Sequence, residues 1–320
     1  MDPSVAPSRV DPEQSSSTFW LTPAAYWVPP HLPVSAWHTH GPFAAWLVDV
    51  MRPQTIVELG SHFGYSCFAF AEAAKRLGLP TTVNALDTWQ GDDHAGHYGE
   101  DVYEFVSSVA RDDYPEIVRL MRGWFSQSRP LFADSSIDLL HIDGRHAYED
   151  VVADYTEWRS GVREGGVILF HDIAERDNGF GVWRLWEEIA EPGRSFAFEH
   201  GHGLGILAVG DIVHAPLRAL FASDAATAAR IRADFARLGE VIERQVWLES
   251  LPGELQAARA DAHRRDIHEA NLEAALGRQN KRIDDLTSST SWRVTSPLRA
   301  LGRLRPRRRT AAPATIDSSA

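Results

Sequence analysis

Two stretches put acids and histidines where an apolar run gives way to a loop: DLLHIDGRH at residues 138–146 and VILFHD at residues 167–172. Asp143 closes the first run, with His146 three residues further on, and His171 and Asp172 close the second. The spacing between Asp143 and Asp172 is that of one strand–helix–strand crossover, so adjacent parallel strands would bring both carboxylates to one sheet edge. Two hard oxygen ligands plus water suit Mg²⁺, and His171 offers a third donor; a set of His and acids also accepts Mn²⁺ or Fe²⁺. A cation there lowers the pKa of a hydroxyl that it holds. A neutral His146 is then either the base that takes the proton near pH 7 or a substrate contact.

A second constellation lies upstream. In IVELGSHFGYS (residues 56–66) an apolar run ends in Glu58, Gly60 and Gly64 follow, and a helical stretch begins. Gly60 permits a tight turn and close approach of a ligand to the backbone, and the following helix offers free N–H groups. The pattern is E-x-G-x-x-x-G rather than G-x-G-x-x-G, which disfavours pyrophosphate; an acid before the turn suits a cationic ligand. Asp87 ends the next strand-like run, where a carboxylate can accept ribose hydroxyls. The segment DTWQGDDHAGHYGE (87–100) reads as a mobile loop over the ligand. It offers Trp89 as core packing or as a cover for a base, and His94, His97 and Tyr98 as substrate contacts. Trp183 and Trp186 in FGVWRLWEEI are read as core packing in preference to stacking on a substrate.

These groups need a scaffold. Short β-branched runs at 55–59, 82–86, 117–121, 137–142 and 166–171 alternate with helical stretches, clearest at 65–77 and 147–160. Two further runs, 195–199 and 204–209, flank HGHG and read as a terminal antiparallel pair. The pattern predicts a seven-stranded, mostly parallel, doubly wound α/β sheet over residues 38–212. Residues 1–18 have the composition of a disordered segment, and 19–37, rich in Trp and Pro, read as an arm packed on the domain. Residues 215–286 read as helical, interrupted at Pro252-Gly253. From Leu255 to Leu286 a 3–4 apolar ladder fits either a short coiled coil, hence a homo-oligomer, or a lone amphipathic helix.

Net charge is −12, from 32 basic and 44 acidic residues, so no general nucleic-acid coat is expected. Seven arginines and one acid follow residue 286, so residues 287–320 read as a basic, disordered tail that could meet an anionic membrane surface. Cys67 is the single cysteine, which rules out an internal disulfide and favours a reduced compartment. No signal peptide or membrane-spanning run is visible, and the expected location is cytoplasmic, with peripheral contact at the inner face of the membrane through the tail.

ELGSHFGYS followed by an acid after strand two resembles motif I of class I S-adenosylmethionine-dependent methyltransferases, and the E-L-G-x-x-x-G-Y-S form is similar to metal-dependent catechol-type O-methyltransferases. The resemblance implies a Rossmann-like methyltransferase sheet whose last strand is antiparallel. By position it implies that Glu58, Gly60, Ser61 and Gly64 line the methionine end of the cofactor, that Ser66 anchors it and that Asp87 holds the ribose. Relatives of that type carry a lysine three residues after the metal acid. His146 stands there in this chain, as in metal-dependent sugar O-methyltransferases. SSTSWRVTSPLR (288–299) resembles a short C-terminal motif of bacterial glycosyltransferases and allied glycan enzymes. Together the resemblances imply a metal-dependent O-methyltransferase of bacterial glycan biosynthesis, with a sugar hydroxyl as acceptor and glycosyltransferases as partners. The alternatives are a phenolic acceptor, or a catalytically idle methyltransferase fold that recruits glycan enzymes.

Overall fold

The computed structural model describes residues 18–92 and 96–303. The expected disorder of the first 17 residues, and the tail beyond Arg303, lie outside the described residues.

The alternating runs form one seven-stranded sheet in the order β5-β2-β1-β6-β7-β9-β8. Its strands are β1 (Thr55–Leu59), β2 (Thr82–Asp87), β5 (Val118–Arg122), β6 (Ile137–Ile142), β7 (Val162–His171), β8 (Ser195–Phe198) and β9 (Leu204–Ala208). The first five pair in parallel, and β9 runs antiparallel between β7 and β8. This is the expected seven-stranded, mostly parallel, doubly wound sheet with an antiparallel closing pair. Two residue pairs, β3 (Gly91–Asp92) and β4 (Gly96–His97), make a small hairpin in the loop after β2. The order in which strands are added reverses between β1 and β6, and such a switch point opens a crevice at the carboxyl ends of the strands.

Helices α1 (Gly41–Met51), α2 (Tyr65–Arg76), α3 (Glu100–Asp113), α4 (Phe125–Ser128), α5 (Tyr148–Trp158) and α6 (Val182–Ile189) cover the sheet. They bury two apolar layers, one centred on Phe43, Trp46, Phe68 and Phe70, the other on Leu140, Trp158, Ile168 and Phe170. The central strands are apolar on both faces, as a covered parallel sheet requires. Residues 19–37 pack against the domain. Trp20 and Trp37 are buried, and Trp20 Nε1 donates to Asp234 at 3.0 Å.

Two boundaries differ from the sequence reading. The compact unit extends past residue 212 to Glu249. Helix α7 (Ala215–Phe221) and the first turns of α8 (Ala225–Ser288) bury Leu217, Leu220, Ile231 and Phe235 in the same core, and Phe235 meets Phe43 and Phe198 ring to ring. Pro252 does not break the helix, because α8 continues through it. An internal proline removes one backbone hydrogen bond and kinks a helix, and strong helix formers on both sides tolerate that. The second unit begins at Ser250. Its helical residues expose Leu255, Leu272, Leu276, Ile283 and Leu286. Helices α9 (Thr290–Val294) and α10 (Ser296–Arg303) occupy the start of the stretch whose composition suggested a disordered tail. Among the described residues no helix is long and apolar enough to cross a membrane.

Candidate active site

One cavity of about 860 Å³ opens at the carboxyl edge of β1, β2, β6 and β7. Its wall takes Gly60, Ser61, His62 and Ser66 from the turn after β1, Asp87 from β2, and Asp143 to His146 from the loop after β6. His171 and Asp172 come from the end of β7, and Val34 to Trp37 from the N-terminal arm.

The glycine turn is held from several sides. Gly60 has φ +90°, and a Cβ there would lie 2.0 Å from the Asp143 carbonyl oxygen. Gly64, with φ +82°, starts α2 against the ring of Phe68. Asp87 Oδ2 accepts the backbone N–H groups of Ser61 and His62, both at 2.9 Å, while its Oδ1 accepts the N–H of Trp89 at 2.7 Å. Both lone pairs of Oδ2 are thus taken, and Oδ1 retains one for a ligand hydroxyl. Ser61 Oγ donates to Glu58 Oε1 at 2.7 Å.

The sequence-derived cofactor residues thus divide. Gly60, Ser61, Ser66 and Asp87 face the cavity. Glu58 is wholly buried behind the turn, and Gly64 serves the helix start. Trp89 is not a cavity wall. Its own φ of +51° folds the ring back, it is 1% exposed, and its Nε1 donates to the His62 carbonyl at 3.1 Å. It braces the turn from inside the core.

At the other end, Asp143, His146 and Asp172 each present a ligand atom, all within 4.8 Å of one another. His146 Nε2 lies 2.9 Å from Asp172 Oδ2 and 4.0 Å from Asp143 Oδ1. Asp172 sits at φ +61°, a left-handed conformation that Asp tolerates better than most residues. His171 differs from its expected part as a third ligand. Its Nδ1 donates to Asp143 Oδ1 at 3.2 Å and its Nε2 to the Gly201 carbonyl at 3.1 Å, so both ring nitrogens are committed. Burial alone would lower its pKa, but Asp143 and Asp172 outweigh it and hold the imidazole well above its ordinary value. The same contacts act on Asp143. Burial opposes its charge, yet His171, His141 and His146 hold its carboxyl below the usual carboxylate range. His146, not His171, completes the cluster with the two acids.

His97 and Tyr98 border the cavity, and the Tyr98 ring lies 5.0 Å from His62. His94 lies outside the described residues. Trp186 packs in the core, and Trp183 Nε1 donates to the Phe180 carbonyl; neither lines the cavity. Sequence reasoning missed Trp37, His62, Trp124, Phe125, Arg145 and the α5 carboxylates Asp150, Asp154 and Glu157, all in the wall. The carboxylates carried a signal, since spacings of four and three residues place them on one helix face. Crowded by burial and then by Asp150 and Glu157, Asp154 is pushed up to about 7.

Residues 57–173 match a family model described as a methyltransferase domain. An uncharacterized protein of Sinorhizobium fredii, y4gI, is 48% identical over 180 residues, which cover 56% of this chain and 20% of the relative. The chain thus spans about a fifth of the length of that curated relative. Among solved structures, a putative caffeoyl-CoA O-methyltransferase from Staphylococcus aureus is similar at TM-score 0.43 and 16% identity, covering 57% of this chain and 86% of the other. An O-methyltransferase from Bacillus cereus in complex with SAH is similar at TM-score 0.42 and 21% identity, covering 57% and 84%.

Proposed function

We propose that this chain is an S-adenosylmethionine-dependent, divalent-metal-assisted O-methyltransferase that methylates a sugar hydroxyl in glycan or glycoside biosynthesis. The observation that carries the reading is that one cavity holds both the glycine turn after β1 and the Asp143–His146–Asp172 cluster.

The donor set fits a metal of the Mg²⁺ or Mn²⁺ type: two carboxylates, one of them held ionised by neighbouring imidazoles. Asp143 and Asp172 would hold the ion, and when bound it supplies Lewis acidity that lowers the pKa of the acceptor hydroxyl. The chain's own groups do the rest. Ser61, Ser66 and Asp87 seat the donor, with Asp87 taking a ribose hydroxyl on the remaining lone pair of Oδ1. Trp37, Tyr98 and Phe180 shelter the reacting centre from water, and His97 and Glu175 offer polar contacts to the acceptor. In transfer, the acceptor oxygen forms a bond to the methyl carbon as the carbon–sulfur bond breaks, leaving a neutral thioether. The hydroxyl proton passes to the His146 imidazole, whose Nε2–H donates to Asp172 Oδ2 at 2.9 Å, and that carboxylate stabilises the imidazolium.

A sugar acceptor is favoured because carboxylates around the cavity accept hydrogen bonds from vicinal hydroxyls, and because SSTSWRVTSPLR resembles a motif of glycan enzymes. Glycosyltransferase partners follow from the same resemblance, and membrane contact follows from the arginine-rich composition of the tail. The test is methyl transfer from labelled S-adenosylmethionine to a panel of glycosides and catechols, in Mg²⁺ and in EDTA. Metal-stimulated labelling of glycosides is expected. Labelling of catechols alone would move the acceptor to the phenolic class. Failure to bind S-adenosylhomocysteine would leave a catalytically idle scaffold.

A further inference from the structure

Glu58 and His141 take no part in the chemistry above, yet both are fully buried at the centre of the sheet. They are register partners across β1 and β6. Along the same two strands Val57, Leu59, Leu140 and Ile142 are apolar and buried. Replacing a buried charged pair by apolar groups is often neutral or stabilising, so stability does not account for a carboxylate and an imidazole here.

Their contacts do. Glu58 Oε1 accepts the hydroxyl of Ser61 at 2.7 Å, and Oε2 accepts His141 Nδ1–H at 3.0 Å. The other ring nitrogen, Nε2, has no hydrogen-bond partner and lies 3.9 Å from Asp143 Oδ2. Ser61, Glu58, His141 and Asp143 therefore form a buried line from the glycine turn to the acid cluster. A backbone tie reinforces it, because Asp143 N–H donates to the Leu59 carbonyl at 2.8 Å.

We propose that His141 is a positioning residue that couples donor binding at the glycine turn to cation binding at the Asp143–His146–Asp172 cluster. A donor seated on Ser61 fixes Glu58, and the imidazole carries that constraint to Asp143; a cation drawn to Asp143 acts back along the same line. The coupling is reciprocal by thermodynamic necessity. The inference rests on the functional reading above.

The experiment titrates the full chain with S-adenosylhomocysteine in EDTA and in Mn²⁺ by calorimetry, and with Mn²⁺ in the presence and absence of S-adenosylhomocysteine by electron paramagnetic resonance. In the wild type each ligand should tighten the other by the same factor, about fivefold or more. His141→Leu keeps bulk and cuts both links; it should bind each ligand singly, with the factor reduced to one. His141→Asn keeps a donor for Glu58 and loses the reach to Asp143; it should hold S-adenosylhomocysteine in EDTA like the wild type but show no coupling. If His141→Leu does not fold, His141→Asn and Glu58→Gln decide the matter. An undiminished factor in the folded variants overturns the proposal. A wild type that binds both ligands independently also overturns it while leaving the methyltransferase reading intact. A wild type that binds neither overturns that reading, and the coupling with it.

Discussion

Gly60 and Asp143 stand so close that the α-carbon of one and the carbonyl of the other leave no room for a single methyl group, since a Cβ on Gly60 would lie 2.0 Å from Asp143 O. The turn that would seat the donor and the loop that would hold the cation are therefore one packed unit. Gly60→Ala combines that clash with a left-handed φ of +90°, which together cost roughly 2–4 kcal/mol. The variant should melt several degrees lower and lose S-adenosylhomocysteine binding in calorimetry. Wild-type affinity in Gly60→Ala would separate the turn from the donor site.

Asp143→Asn keeps shape and removes charge from the cluster. Metal-stimulated methyl transfer should fall about 100-fold, while circular dichroism and melting stay near wild type. Equal turnover in Mg²⁺ and EDTA for wild type and variant alike would remove the metal from the reaction.

His146→Asn is expected to lower turnover by about 10²-fold or more with little change in Mn²⁺ affinity, because the two aspartates remain. Loss of Mn²⁺ affinity in step with turnover would make His146 a ligand instead of a base.

Asp154 gives a stability prediction with a definite sign. Its carboxyl is pushed up to about 7 in the folded chain, against an ordinary value of 3.8. The folded state therefore binds the extra proton between those values. The stabilisation is complete below about pH 4 and is lost as pH rises through 7. Asp154→Asn should flatten this slope and raise the melting temperature at pH 8 by a few degrees. A melting curve whose pH dependence is unchanged in the variant would show that Asp154 ionises freely.

The tail prediction concerns location. Seven arginines near an anionic leaflet contribute about 1 kcal/mol each when they approach it. Removal of residues 287–320 should abolish sedimentation with phosphatidylglycerol vesicles and leave methyl transfer in solution intact. Equal sedimentation of both forms would exclude the tail as the membrane contact.

The sheet was legible because strand-end residues and β-branched runs carry their own signal: β1, β6 and the closing pair β8–β9 fall within one or two residues of the apolar runs. The two acids were legible for the same reason, since a carboxylate ending a buried strand has one edge to face. Side-chain direction was not. The same sequence pattern fits a Trp89 that covers a ligand and one that braces the core, and the choice depends on a backbone φ that only the folded turn fixes. Nor could local spacing tell that His171 would find Gly201 for its second nitrogen, a partner thirty residues on. Pro252 shows the converse: a strong local breaker was overridden by helix formers on both sides.

The arm gives the site a wall that precedes the fold in sequence. Val34 to Trp37 border the cavity, and so do Glu175, Asn178, Phe180 and His202 on the far side, yet the matching family model covers residues 57–173. An excised domain with those limits would carry every candidate donor and cation group and still be open on two flanks. On the methyltransferase reading, acceptor choice would then rest on segments outside the matched domain, which can change without touching the donor and cation groups.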